Sequence, residues 1–172
     1  MKNLKQMLGV SALSVMICLS ACKDDDPKPD ACESGTFEAT VNGEHAAATS
    51  FNNTLLKASS GGYEGKRMDI RATDAEGRQL IITFNDLSTG LDGNGVSTDG
   101  YIAIDQVTSP TQNTFMFTII EDGISYSFID GTFDITSCDA NAKKVSGTFS
   151  FSDEDFAVTS GSFTNMCYTV LN

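Results

Sequence analysis

The 172-residue chain carries 11 Lys and Arg against 23 Asp and Glu, a formal net charge of −12, and has one His and no Trp. That length suits a single domain able to bury its own core without metals or staples. The acidity argues against binding nucleic acid or anionic lipid through clustered cations, and the lone His45 excludes a His-rich metal centre.

A short basic start, Lys2 and Lys5, precedes the apolar run 7–19 (MLGVSALSVMICL). A membrane-spanning helix needs about 20 apolar residues, so this run has the length of a signal-peptide core instead. Leu19-Ser20-Ala21-Cys22 resembles the bacterial lipobox, which marks residues 1–21 as a lipoprotein signal peptide and Cys22 as the predicted lipidation site. Anchoring would then come from acyl chains on Cys22: a buried methylene contributes about 0.8 kcal/mol, and a stable hold takes more than one chain. Cleavage there removes two lysines and no acid, leaving the mature chain more acidic still.

Residues 22–34 read as a flexible acidic tether, because Lys23-Asp24-Asp25-Asp26 and the two prolines Pro27 and Pro29 offer little to bury. Acids directly after the lipidated Cys resemble the export signal of Bacteroidota surface lipoproteins. The resemblance implies an outer-membrane location with the domain exposed at the cell surface; a periplasm-facing domain is the alternative.

Residues 35–172 read as one all-β domain. Phe37, Ala39 and Val41 alternate with polar neighbours, and Asn42-Gly43 is a hairpin-turn signal. A weaker arm follows over 44–51, then a break at Asn52-Asn53. Strands are predicted over 66–73 and 78–85, joined by the turn Asp74-Ala75-Glu76-Gly77. A short strand at 101–105 precedes a longer one at 114–120, which ends in the turn Glu121-Asp122-Gly123. One long strand bent at Gly131 is predicted over 124–137, with 145–152 and 162–171 closing the series. No segment has convincing helical periodicity; even 53–59 (NTLLKAS) is too short. About nine or ten strands with Gly, Asn and Asp between them predict an antiparallel β-sandwich or a flattened, calycin-like barrel.

One triplet recurs: Gly35-Thr36-Phe37, Gly131-Thr132-Phe133, Gly147-Thr148-Phe149 and Gly161-Ser162-Phe163. The glycine is expected to permit a bulge or tight approach at a strand start, with the Phe two residues on turned inward. The last three lie close enough to be neighbours in a meander.

Three cysteines remain for folding once Cys18 leaves with the signal and Cys22 takes lipid: Cys32, Cys138 and Cys167. They allow at most one disulfide and three pairings; Cys138–Cys167 is the first expectation. With one His in the chain, neither a zinc site nor a thiol nucleophile has partners. The loop 86–100 (DLSTGLDGNGVSTDG) offers Asp86, Asp92, Asn94 and Asp99 as oxygen ligands, a weak calcium candidate. Its spacing misses the EF-hand pattern at Val96, and its composition is also that of a solvated hairpin loop. Asp130, Asp134 and the run Asp153-Glu154-Asp155 are the carboxylates a glycan hydrolase would need in pairs. Tyr63, in a Gly-rich turn, is the aromatic expected at the surface and the candidate binding residue.

The lipobox with its acidic tether, the early Gly-Thr-Phe-Glu-Ala-Thr-Val-Asn-Gly and the late Val-Ser-Gly-Thr-Phe-Ser-Phe with Ser-Gly-Ser-Phe-Thr-Asn resemble small Bacteroidota lipoproteins described as a domain of unknown function. The matching stretches are 22–43 and 145–165, and the resemblance implies an exported β-domain without catalytic residues to carry over. The expectation is a lipid-anchored, non-catalytic domain that binds an extracellular or envelope partner. The alternatives are a calycin-like carrier of a small apolar ligand or a carboxylate-dependent glycan hydrolase. No cofactor is implied, and the membrane is contacted through the lipid.

Overall fold

Alternation decides the architecture from the first strand. β1 (Thr36–Val41) buries Phe37, Ala39 and Val41 and turns Thr36 and Glu38 to solvent. The computed structural model describes residues 35–172 apart from 61, 62, 89, 92, 99, 107, 109–111 and 155, and apart from the side chains of 60 and 63. The remaining strands are β2 (Glu44–Phe51), β3 (Thr54–Ser60), β4 (Tyr63–Asp74), β5 (Gln79–Asp86), β6 (Ile102–Ala103), β7 (Thr114–Glu121), β8 (Ile124–Phe128), β9 (Thr132–Asp139), β10 (Lys144–Ser152), β11 (Ala157–Cys167) and β12 (Thr169–Leu171). A single 3-10 turn, Ile104–Gln106, is the helical element among the described residues.

All twelve strands belong to one hydrogen-bonded system, ordered β6-β7-β5-β4-β2-β1-β11-β10-β9, with β8 added to β7, β3 to β4 and β12 to β3. The sheet curls until β6 comes back against β9, giving a nearly closed, barrel-like shape. The expected all-β fold is therefore present, in its barrel-like form, but the sheet is mixed rather than purely antiparallel, with β6 parallel to β7 and β12 parallel to β3. Asn42 and Gly43 both adopt positive φ (51° and 87°), as do Asp122 and Gly123 (52° and 78°), so both predicted turns have the twist that two-residue hairpins require.

Three details differ from the expectation. Most of the stretch 53–59 lies in β3, a strand along the first half of β4, while β2 pairs the second half. Asn53 fills the junction. Its Oδ1 accepts the Arg71 N–H at 3.1 Å and its Nδ2 donates to the Cys167 carbonyl at 2.8 Å, replacing ladder bonds where the edge changes partner. The predicted bent strand over 124–137 is two strands: β8 pairs with β7 and β9 with β10. Gly131 makes that crossing possible, because at φ 142° an added Cβ would collide with the Ser150 carbonyl and Phe151. At the C-terminus, β12 separates from β11 to lie parallel to β3.

The recurring Gly-Thr/Ser-Phe triplets organise the core. β9, β10 and β11 are consecutive in the sheet, as their spacing predicted, and Phe37, Phe133, Phe149 and Phe163 are all buried. Gly147 and Gly161 stand inside their strands rather than at the starts. In the register, Gly147 of β10 faces Phe163 of β11, and Phe149 of β10 faces Gly161 of β11. Each ring thus lies over the other strand's glycine, where a Cβ would run into ring carbons. Phe133 then contacts Phe84, Phe115 and Phe117, while Phe117 stacks on Phe151 with ring centroids 4.4 Å apart. Contacts of this kind contribute about 0.5–1.5 kcal/mol per pair beyond area burial.

Gly147→Ala and Gly161→Ala should each destabilise the domain by about 1–3 kcal/mol through overpacking. Gly100, which has open space around its α-carbon, serves as the control. Urea unfolding of the three alanine variants should show the first two shifted and Gly100→Ala near the parent.

Candidate functional site

The two ends of the barrel differ in chemistry. The end at which the chain enters β1 is covered by the loop 87–101, and buried polar groups hold it there. Asp86 is fully buried; its carboxylate accepts the Ser97 N–H at 2.7 Å, the Ser88 hydroxyl at 2.9 Å and the Ser88 N–H at 3.2 Å. Lys66, also buried, donates from Nζ to the Gly95 carbonyl at 2.5 Å. The Tyr168 hydroxyl donates to the Asn94 carbonyl at 2.5 Å, and the Tyr101 hydroxyl to the Ser97 carbonyl at 3.1 Å. Burial, together with the neighbouring Cys138 thiol, pushes the Tyr168 hydroxyl far above its ordinary value, so it stays a proton donor. A composition typical of solvated loops is here pinned by interior side chains that alternation alone would have assigned to packing.

These contacts place the proposed calcium ligands. Asp86 is committed to loop amides and a hydroxyl, and the Asn94 Oδ1 accepts the Lys57 Nζ at 2.9 Å. Asp92 and Asp99 lie outside the described residues. Among the described residues, no three His, Cys, Asp or Glu side chains gather as a metal site. Tyr63 is the first residue of β4, and its side chain lies outside the described set. Cys22 and Cys32 also lie outside it.

The expected Cys138–Cys167 bridge is not formed. Cys138 is a free, half-buried thiol whereas Cys167 is disulfide-bonded. Register explains the error. Cys138 on β9 is aligned with Val145 on β10, and Val145 with Met166 on β11, so the intervening strand β10 separates the two cysteines. Strands lie about 4.8 Å apart, which puts residues two strands away beyond the Cα separation a disulfide allows. Cys138 also points inward in the row of buried Val145 and Met166, and Cys167, one residue on, points the other way. Cys138 Sγ instead accepts the Val96 N–H at 3.4 Å and lies 3.6 Å from the Tyr168 hydroxyl.

At the opposite end, where β1 finishes and β11 starts, a shallow depression of about 220 Å³ is lined by Asp130, Gly131, Ser150, Phe151, Ser152, Val158 and Thr159. Its lining includes Phe151 and Val158, which face each other in the register and are buried, together with the polar Ser150, Ser152, Thr159 and the exposed Asp130. Exposed Ile129 adjoins the rim in sequence. The surrounding turns are tied down: the Asn42 Oδ1 accepts the Ala157 N–H at 2.7 Å, and the Asp153 Oδ1 accepts the Phe156 N–H at 2.7 Å. Thus Asp130 lines the depression, Asp153 caps a turn, and Asp134 stands exposed on β9 outside the lining residues. Asp155 is outside the described residues. This rim was missed as a site by sequence reasoning, since its residues come from three separate stretches whose only shared signal is Gly131 and the strand-edge serines.

Comparison with protein-family models, with curated proteins and with solved structures finds no match.

Two outcomes test this description. Replacing Asp86 by Asn should cost about 1–3 kcal/mol, since loop amides lose a buried acceptor, and should speed hydrogen exchange at the Ser97 and Val96 amides more than in β10. On the outer face of β4, burial alone would raise the Asp69 carboxyl, but hydrogen bonds from Arg67, Thr83 and Arg71 and the Arg67 charge outweigh it and hold the group below its ordinary 3.8. A depressed carboxylate contributes stability above its unfolded value and loses it as pH falls from 3.8 through the folded value. Asp69→Asn should therefore flatten the acid limb of a urea-stability profile below about pH 4.

Proposed function

We propose that the mature chain is an outer-membrane lipoprotein, anchored through acylated Cys22 and displayed at the cell surface, whose β-domain binds a partner without catalysing a reaction. The supporting observation is where free surface remains. The interior is occupied by phenylalanine rings in mutual contact, and one barrel end is covered by the 87–101 loop. The depression beside Asp130 lies at the other end, away from the point where the tether joins the domain. This arrangement favours recognition at the rim over enclosure of an apolar molecule in the barrel. A glycan hydrolase would draw on two carboxylates across a cleft, and among the described lining residues Asp130 is the one that supplies a carboxylate.

The depression is smaller than the roughly 300–1,000 Å³ typical of drug-sized ligand sites, which suits one projecting side chain of a larger partner. An acidic domain with a carboxylate at the rim favours a basic group there through electrostatic complementarity. A Gly-Lys-Gly peptide, titrated against isotope-labelled mature domain, should shift the amide signals of residues 130–131, 150–152 and 158–159. Asp130→Asn should abolish that effect, and Gly-Glu-Gly should give none. Equal responses to both peptides would defeat the rim assignment. Location is read separately: protease treatment of intact cells should remove the domain, and complete protection would place it facing the periplasm.

A further inference from the structure

We infer that Cys32 is the disulfide partner of Cys167, so that the root of the tether is covalently stapled to the last long strand of the barrel. Cys167 is disulfide-bonded, and the other cysteine among the described residues, Cys138, is a free thiol held under the 87–101 loop. The candidates that remain in the sequence are Cys18, Cys22 and Cys32. Geometry on the described side selects among them. β1 runs antiparallel to β11 with Thr36 opposite Thr164, so the start of β1 lies at the Cys167 end of β11. Gly35 already lies beside Met166: a Cβ built on it would be 2.9 Å from the Met166 Sδ and 3.2 Å from the Met166 Cα. Cys32 is three residues further back, a span of at most about 11 Å of extended chain, short enough for the chain to meet the roughly 4.4–6.8 Å Cα separation a disulfide needs. Cys18 lies in the predicted signal peptide, and the thiol of Cys22 is consumed if it carries the lipid.

The chemistry is a two-electron oxidation. The thiols of Cys32 and Cys167 lose two protons and two electrons as the S–S bond forms, and a thiol–disulfide oxidase of the envelope accepts them, its own disulfide being reduced to two thiols. Such a bridge closes nearly the whole domain into one loop. Tension arriving along the tether then enters the barrel at Cys167 on β11, beside the Asn53 junction, instead of peeling β1 from its end. It also leaves Cys138 without a partner, which matches its sheltered place against Val96 and Tyr168.

The test uses the full mature lipoprotein extracted in detergent. Free thiols are alkylated in denaturant without reduction, the chain is digested, and the peptides are mapped by mass. The expected result is one cross-linked pair containing Cys32 and Cys167, two hydrogens lighter than the sum of the two thiol peptides, with Cys138 alkylated. Reduction should release both peptides. A bridge from Cys167 to Cys22, or alkylation of Cys167 before reduction, overturns the inference. As a second arm, Cys32→Ser should raise the number of alkylated thiols in the denatured chain from one to two by exposing Cys167, whereas Cys138→Ser should lower it to none and leave the bridge intact. An unchanged count in Cys32→Ser likewise overturns it. The wild-type map decides the matter even if a variant fails to accumulate.

Discussion

The reciprocal fit of Phe163 over Gly147 and Phe149 over Gly161 is the contact on which the barrel depends. Two neighbouring strands each present a ring where the partner has no side chain, so β10 and β11 approach with aromatic bulk beneath them and no overlap. A one-residue slip would turn both rings outward and set each glycine against the wrong neighbour. The pair therefore specifies register as well as packing. From Phe149 and Phe163 the rings continue to Phe37 on one side and Phe133 on the other, linking β1, β11, β10 and β9 into one inner surface.

Closure follows from that surface. β9 and β7 are the two ends of the long sheet path that must meet, apart from the two-residue β6, and their meeting rests on side chains. Phe133 of β9 packs against Phe84, Phe115 and Tyr101, with centroid separations of 4.8, 5.7 and 5.4 Å. Phe128 and Phe156 extend the contact beside Phe151. A seam sealed by rings accounts for most of the 11 Phe in a chain without Trp: ten are buried, and Phe51 alone among them is exposed.

Buried polar groups hold the turns at both ends: Asp74 pairs with Arg78 at the end of β4, and a larger set secures the covering loop at the other. Asp86, Lys66 and Tyr168 are inward-facing groups that satisfy the backbone of the covering loop, so their burial is matched by hydrogen bonds. The start of β1 and the covering loop share one end of the barrel, and the Asp130 rim lies toward the other.

Alternation over 37–41, 68–72 and 80–84, with turn residues at 42–43 and 122–123, was enough to read the β class and most strand positions from the sequence, because both are local properties of the backbone and of side-chain direction. The order of basic start, apolar run and Leu19-Ser20-Ala21-Cys22 is likewise written in the sequence alone. Other features required the fold. The sequence does not say that 54–60 is a strand between β4 and β12, that 124–139 divides at Gly131, or that Cys138 and Cys167 lie on opposite faces with β10 between them. Nor does it reveal that Asp86 turns inward to hold a loop, or that Asp130, Ser152 and Thr159 meet at one rim. Each of these depends on which strands become neighbours over long stretches of chain, and that choice is made by the collective packing of the rings rather than by any local signal.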